Sequence, residues 1–88
     1  MLDVREAAQK ASEYFAGLYK DKALTKDVQL EEVDQENHGK YWLITLSYPD
    51  PSEPTLGGVT LNFKRKYKVF KIDANTGEVK SMKIRYVE

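Results

Sequence analysis

The side chains that could do chemistry in this 88-residue chain are few, and they are scattered. His38 is the only histidine, set in Glu36-Asn37-His38-Gly39, and there is no cysteine. A metal site would have to borrow Asp34 or Glu36 as partners for His38. Three adjacent polar residues in a turn more often face water than an ion, so no metal site is assigned. Ser12, Ser47, Ser52 and Ser81 are candidate nucleophiles by type, but none lies in the strand–turn–helix elbow that exposes a serine oxygen. Glu31 and Glu32 are neighbours on an extended segment and point to opposite faces, so they cannot act as one acid/base pair. Gly57-Gly58 lacks the following helix that a phosphate-cradling loop needs. The expectation is therefore a non-enzymatic domain with no catalytic residue and no cofactor.

Two groups remain that could bind a partner. Lys64, Lys66 and Lys68 alternate on one expected strand, and Lys83 and Arg85 alternate on the next. If these faces coincide, the open side of the sheet is a basic platform with tyrosine nearby, suited to single-stranded nucleic acid. The alternative is an ordinary solvated face whose lysines pair across strands with Glu31 or Glu32. Zero net charge and a pI near 6.6 weigh against nucleic acid. The second group is Asp50, Glu53 and Leu56 within Pro49–Gly58, a stretch with all three prolines and two of the five glycines. It reads as a loop with no regular element, serving either as a solvated connection or as a recognition loop. In the second case Leu56 is the apolar anchor, while Asp50 and Glu53 set the charge preference.

The elements that would position these groups follow from periodicity. Residues 3–20 carry Val4, Ala7, Ala8, Ala11, Tyr14, Phe15 and Leu18 at helical spacing, with Asp3 and Glu6 placed as a capping box. Gly17 and the alanines predict close approach of this helix to a sheet. Residues 27–34 predict a first strand that slips or ends near Val33. Lys40–Tyr48 is the clearest central strand, with Trp42, Ile44, Leu46 and Tyr48 on one face; Trp42 is expected under the helix against Phe15 and Leu18. Val59–Ile72 reads as one long strand in which Val59, Leu61, Phe63, Tyr67 and Val69 share a face. Phe70 and Ile72 fall on the other parity, which predicts a bulge near Val69–Phe70, or a bend that buries both sets. Asp73-Ala-Asn-Thr-Gly77 is a reversal with Gly77 at positive φ, leading to a last strand with Met82, Ile84 and Tyr86 inward. The predicted fold is α+β: an N-terminal helix packed on one face of a four-stranded antiparallel meander, α-β-β-β-β, as a single domain over residues 1–88.

Composition agrees with a small globular domain, 41% hydrophobic and 32% charged. The charge is lopsided. Residues 1–63 hold 6 Lys/Arg against 11 Asp/Glu, and residues 64–88 hold 8 against 3. No apolar run is long enough to span a bilayer, so no membrane insertion is expected. The opening Met-Leu-Asp-Val-Arg-Glu does not read as a signal peptide, which implies a cytoplasmic protein, or an extracytoplasmic one if a leader was removed.

Tyr67-Lys-Val-Phe-Lys-Ile-Asp-Ala-Asn-Thr-Gly-Glu-Val79 resembles the strand-and-turn signature of PepSY domains. Val4-Arg-Glu-Ala-Ala-Gln-Lys-Ala is similar to that family's opening helix, and Tyr41-Trp-Leu-Ile-Thr-Leu to its middle strand. Such domains occur in propeptides of thermolysin-like peptidases and in cell-envelope proteins. The resemblance implies a protein-binding domain that inhibits or regulates a peptidase. A nucleic-acid-binding module is the alternative, and a carrier with a small ligand between helix and sheet comes third.

Overall fold

Asp3 starts the helix. Its side chain accepts a hydrogen bond from the Glu6 amide at 2.8 Å, and the Glu6 carboxylate accepts one from the Asp3 amide at 3.2 Å. The reciprocal pair satisfies two backbone donors that a helix start leaves open. Helix α1 then runs Val4–Leu18. The computed structural model describes residues 1–19, 27–49 and 65–86, together with the backbone of 55–56 and 59–60.

The strands are β1 (Gln29–Glu36), β2 (Tyr41–Pro49), β3 (Thr55–Leu56), β4 (Val59–Thr60), β5 (Arg65–Asp73) and β6 (Val79–Arg85). The main sheet has the order β1-β2-β5-β6, antiparallel throughout, and α1 lies on one face of it. The fold is thus the expected helix on a four-stranded antiparallel meander. The expected slip in the first strand is a bulge at Glu31, between Leu30 and Glu32.

The core is a single layer between helix and sheet. Ala7, Ala11 and Phe15, spaced by four, face Ile44, Leu46, Tyr48, Phe70 and Ile72, all buried. The Phe15 ring lies 4.8 Å from Tyr19, 5.0 Å from Tyr48 and 6.5 Å edge-on from Phe70. The helix begins over Trp42 and carries Phe15 to Tyr48, so it travels alongside β2. About 20 Å of helix between residues 2 and 15 matches about 20 Å of strand between residues 42 and 48.

That direction corrects two expectations. Trp42 is half-buried, and its indole N–H donates to the Leu2 carbonyl at 3.0 Å, at the start of the helix; Phe15 is at the other end, and Leu18 is about half exposed. Gly17 does not touch the sheet. It lies about 200° round the helix from Phe15, and nothing stands within 4 Å of where its Cβ would be. Gly17→Ala is therefore expected to stabilise the domain, by up to about 1 kcal/mol, read as a raised urea midpoint with unchanged slope.

Of the long strand expected over 59–72, residues 59–60 and 65–72 are described as strand, and residues 61–64 lie outside the described residues. Thr55–Leu56 and Val59–Thr60 form a short antiparallel pair, so regular structure does occur within the proline-rich stretch. The bulge expected near Val69–Phe70 is absent. Pairing of β2 with β5 runs without a break from Tyr41 opposite Asp73 to Pro49 opposite Arg65. Phe70 and Ile72 face the helix, and Tyr67 and Val69 lie half-buried on the other side. The break in register is between β5 and β6, where Ser81 pairs with Lys71 and Val79 with Ile72, leaving Lys80 as the extra residue.

The β1–β2 and β5–β6 turns both use left-handed backbone. Asn37, His38 and Gly39 have φ of 56°, 57° and 85°, the hand that suits a twisted hairpin. At the second turn, the Asp73 carboxylate accepts from the Asn75 amide at 2.8 Å and the Thr76 amide at 3.0 Å, and Gly77 has φ +77°. Ala74, fully buried, ties three parts of the chain together. Its amide donates to the Lys40 carbonyl at 2.9 Å, and its carbonyl accepts from the Leu2 amide at 2.6 Å.

The Thr76 and Asn75 amides hold the Asp73 carboxyl below its usual range. A depressed folded value means the contribution is present above the unfolded value, near pH 3.9, and is lost as pH falls through the lower folded value. Asp73→Asn keeps the accepting oxygen and removes the charge. The expected result is a smaller loss of melting temperature between pH 5 and pH 2 in the variant than in the parent.

Candidate functional site

The face of the sheet away from the helix is where the chemistry-bearing side chains meet. Across it stand Glu32, Asp34 and Glu36 of β1; Tyr41, Leu43, Thr45 and Ser47 of β2; Arg65, Tyr67, Val69 and Lys71 of β5; and Ser81, Lys83 and Arg85 of β6. Anions line one side and cations the other. They join across the middle in three ion pairs: Arg65 to Asp27 at 2.9 Å, Arg85 to Glu32 at 2.9 Å and Lys71 to Glu36 at 3.0 Å.

The arginines also explain two buried hydroxyls. Thr45 and Ser47 point to this open face, yet both are buried. Arg85 Nη1 donates to Thr45 Oγ1 at 3.0 Å, and Arg65 Nε donates to Ser47 Oγ at 2.9 Å. Arg65 Nη2 donates further to the carbonyls of Ser47 and Asp27, so its fork is occupied. The guanidinium groups lie over β2, bonded to its Thr45 and Ser47 hydroxyls while they pair with Glu32 and Asp27. Lys71 Nζ sits 4.3 Å from the centre of the Tyr41 ring as well as on Glu36. Individually such pairs contribute about 0–1 kcal/mol; together they lie on a face that no helix covers among the described residues.

The basic platform expected from the sequence is divided by this geometry. Residues directly opposite on antiparallel strands share a face. Lys66 is opposite Tyr48, and Lys68 is opposite Leu46 and Ile84, which places both on the helix side. There Lys68 Nζ donates to the Tyr19 hydroxyl at 2.8 Å and lies over its ring. Lys83 and Arg85 are on the opposite side, and Lys64 lies outside the described residues. The premise that failed was the bulge near Val69–Phe70: without it, even-numbered residues of β5 all follow Phe70 toward the helix. Unbroken alternation would have placed Arg65 and Lys71 on the outer face, where they do the pairing. Glu32, considered as a cross-strand partner for lysine, pairs with Arg85.

Of the loop group, Asp50 and Glu53 lie outside the described residues. Leu56 is placed only as a strand position opposite Val59. His38 is exposed at the tip of the first hairpin. Among the described residues, no three His, Cys, Asp or Glu side chains are grouped as metal ligands would be. None of the described helices is long and apolar enough to cross a membrane.

Comparison with known proteins adds no relative: no protein-family model, no curated protein and no solved structure matches the chain.

Proposed function

We propose that this domain is a non-enzymatic protein-binding module that restrains or regulates a peptidase. The observation that supports this reading is the meeting of three stretches at Ala74. The helix start, the middle strand and the Asp73–Gly77 turn are the segments that resemble a PepSY domain, and Leu2, Lys40, Trp42 and Ala74 link them by hydrogen bonds. Residues that look like a family signature thus carry specific backbone duties here, in Asp73, Ala74 and Gly77. Nucleic-acid binding, the alternative, needs one continuous cationic face. The split of Lys66 and Lys68 from Lys83 and Arg85, and the pairing of Arg65, Lys71 and Arg85 with carboxylates, argue against it.

The test is to titrate the purified domain into a thermolysin-type zinc endopeptidase turning over a fluorogenic peptide. Slowing that saturates with domain concentration, while the domain stays intact by mass spectrometry, supports the proposal. An unchanged rate, or a domain that is simply digested, overturns the peptidase reading. Replacing residues 50–57 by Asn-Gly in a folded variant then asks whether Asp50, Glu53 and Leu56 carry the contact. Loss of inhibition assigns it to them, and retained inhibition assigns it elsewhere.

A further inference from the structure

The edge strands of the sheet are β1 and β6, neither paired further among the described residues, and their side-chain patterns are complementary. In β1 the run after the bulge, Glu32–Glu36, alternates acid on the outer face with Val33 and Gln35 on the helix side. In β6 the run after its bulge, Ser81–Arg85, alternates Ser81, Lys83 and Arg85 on the outer face with Met82 and Ile84 on the helix side. Each run is five residues of regular strand. Val33 and Ile84 are among the exposed large apolar residues, at 36% and 63%.

We propose that β6 of one molecule pairs antiparallel with β1 of a second copy, extending the sheet head to tail. The topology sets the direction. A meander of four antiparallel strands begins and ends on opposite headings, so a copy placed alongside in the same orientation presents β1 antiparallel to β6. The helices then fall on the same side, and the two outer faces become continuous. One register places Glu32 opposite Arg85, Val33 opposite Ile84, Asp34 opposite Lys83, Gln35 opposite Met82 and Glu36 opposite Ser81. Charges meet charges and the apolar pair meets on the helix side. The central pair is the informative one. Asp34 and Lys83 are exposed and neither has an ion-pair partner among the described residues, whereas Glu32 and Arg85 already pair within one molecule.

Like edges do not fit. Two β1 strands would set carboxylates against carboxylates, and two β6 strands would set cations against cations. The contact is therefore heterologous, giving chains or rings rather than a closed dimer. The bulges at Glu31 and Lys80 confine pairing to five residues, as edge bulges commonly do. The interface thus falls in the small, reversible class below roughly 1,200 Å². This inference does not depend on the peptidase reading.

Sedimentation equilibrium of the whole chain across a concentration series tests it. The expected weight-average mass rises from 10.1 kDa with concentration, and falls back in about 1 M salt, where charges are screened beyond about 3 Å. Asp34→Lys and Lys83→Glu, each with the parent's circular dichroism, are expected to be monomeric alone. An equal mixture restores association, because each supplies the other's missing complement. A monomer at every concentration overturns the proposal. So does association that the two single variants leave unchanged, which would assign it to another surface.

Discussion

Phe15→Ala is expected to destabilise the domain by about 3–5 kcal/mol, a large share of what a chain of this size has. Total stability scales to about 4–13 kcal/mol for 88 residues. Phe15 is 1% exposed and is the largest side chain the helix gives to the core. Its neighbours there, Tyr48 and Phe70, belong to β2 and β5, so they cannot close over the gap without moving the central pair of strands. The other buried helix residues are alanines, which have no atoms to extend into the cavity. Urea unfolding of Phe15→Ala and Phe15→Leu measures the effect. A small loss for Leu with a large loss for Ala identifies a cavity, and equal small losses would refute the packing account.

Gly77→Val is expected to cost about 2 kcal/mol, the range for a non-glycine residue forced into left-handed backbone. Two things act at once. The φ of +77° disfavours any β-branched side chain, and a Cβ here would stand 3.3 Å from Leu2 Cδ2 and from Lys10 Cε. The second contact involves the far ends of flexible side chains, which give way, so the backbone decides the sign. The readouts are a lowered urea midpoint and faster exchange at the Leu2 amide and the Trp42 indole N–H, both part of the junction above this turn. Protection unchanged at both would separate the turn from the docking of the helix.

What the residues made legible was local. Asp3 and Glu6 announce the helix start because capping is decided within four residues. Asp73 and Gly77 announce the second turn for the same reason, and Ile44, Leu46 and Tyr48 give the buried face of β2 by simple alternation. What stayed hidden depended on which strand lies beside which. Thr45 and Ser47 look like residues of an open face, and nothing near them in sequence says that Arg85 and Arg65 cover them. The division of the lysines turned on a single supposed bulge. A one-residue slip inverts every side chain after it, so placing the break at Val69–Phe70 instead of Lys80 was enough to assemble a cationic surface that the fold keeps apart. Trp42 was misplaced because its alternation gives a face but not which end of the helix covers it.

The Ala74 junction also sets an order of events during synthesis. Its hydrogen bonds join Leu2 to a residue 72 positions later, so the seat for the helix start does not exist until the turn at residues 73–77 has left the ribosome. Phe70 is made 55 residues after Phe15, a delay of about 3–11 s at ordinary elongation rates. Through that interval Ala7, Ala11 and Phe15 form an amphipathic stripe with no complete sheet to cover it. The capping box is local and can hold the helix start from the outset, while burial of the stripe waits for β5. Packing of the helix thus follows synthesis of β5 and of the turn at residues 73–77, rather than accompanying synthesis of the helix itself.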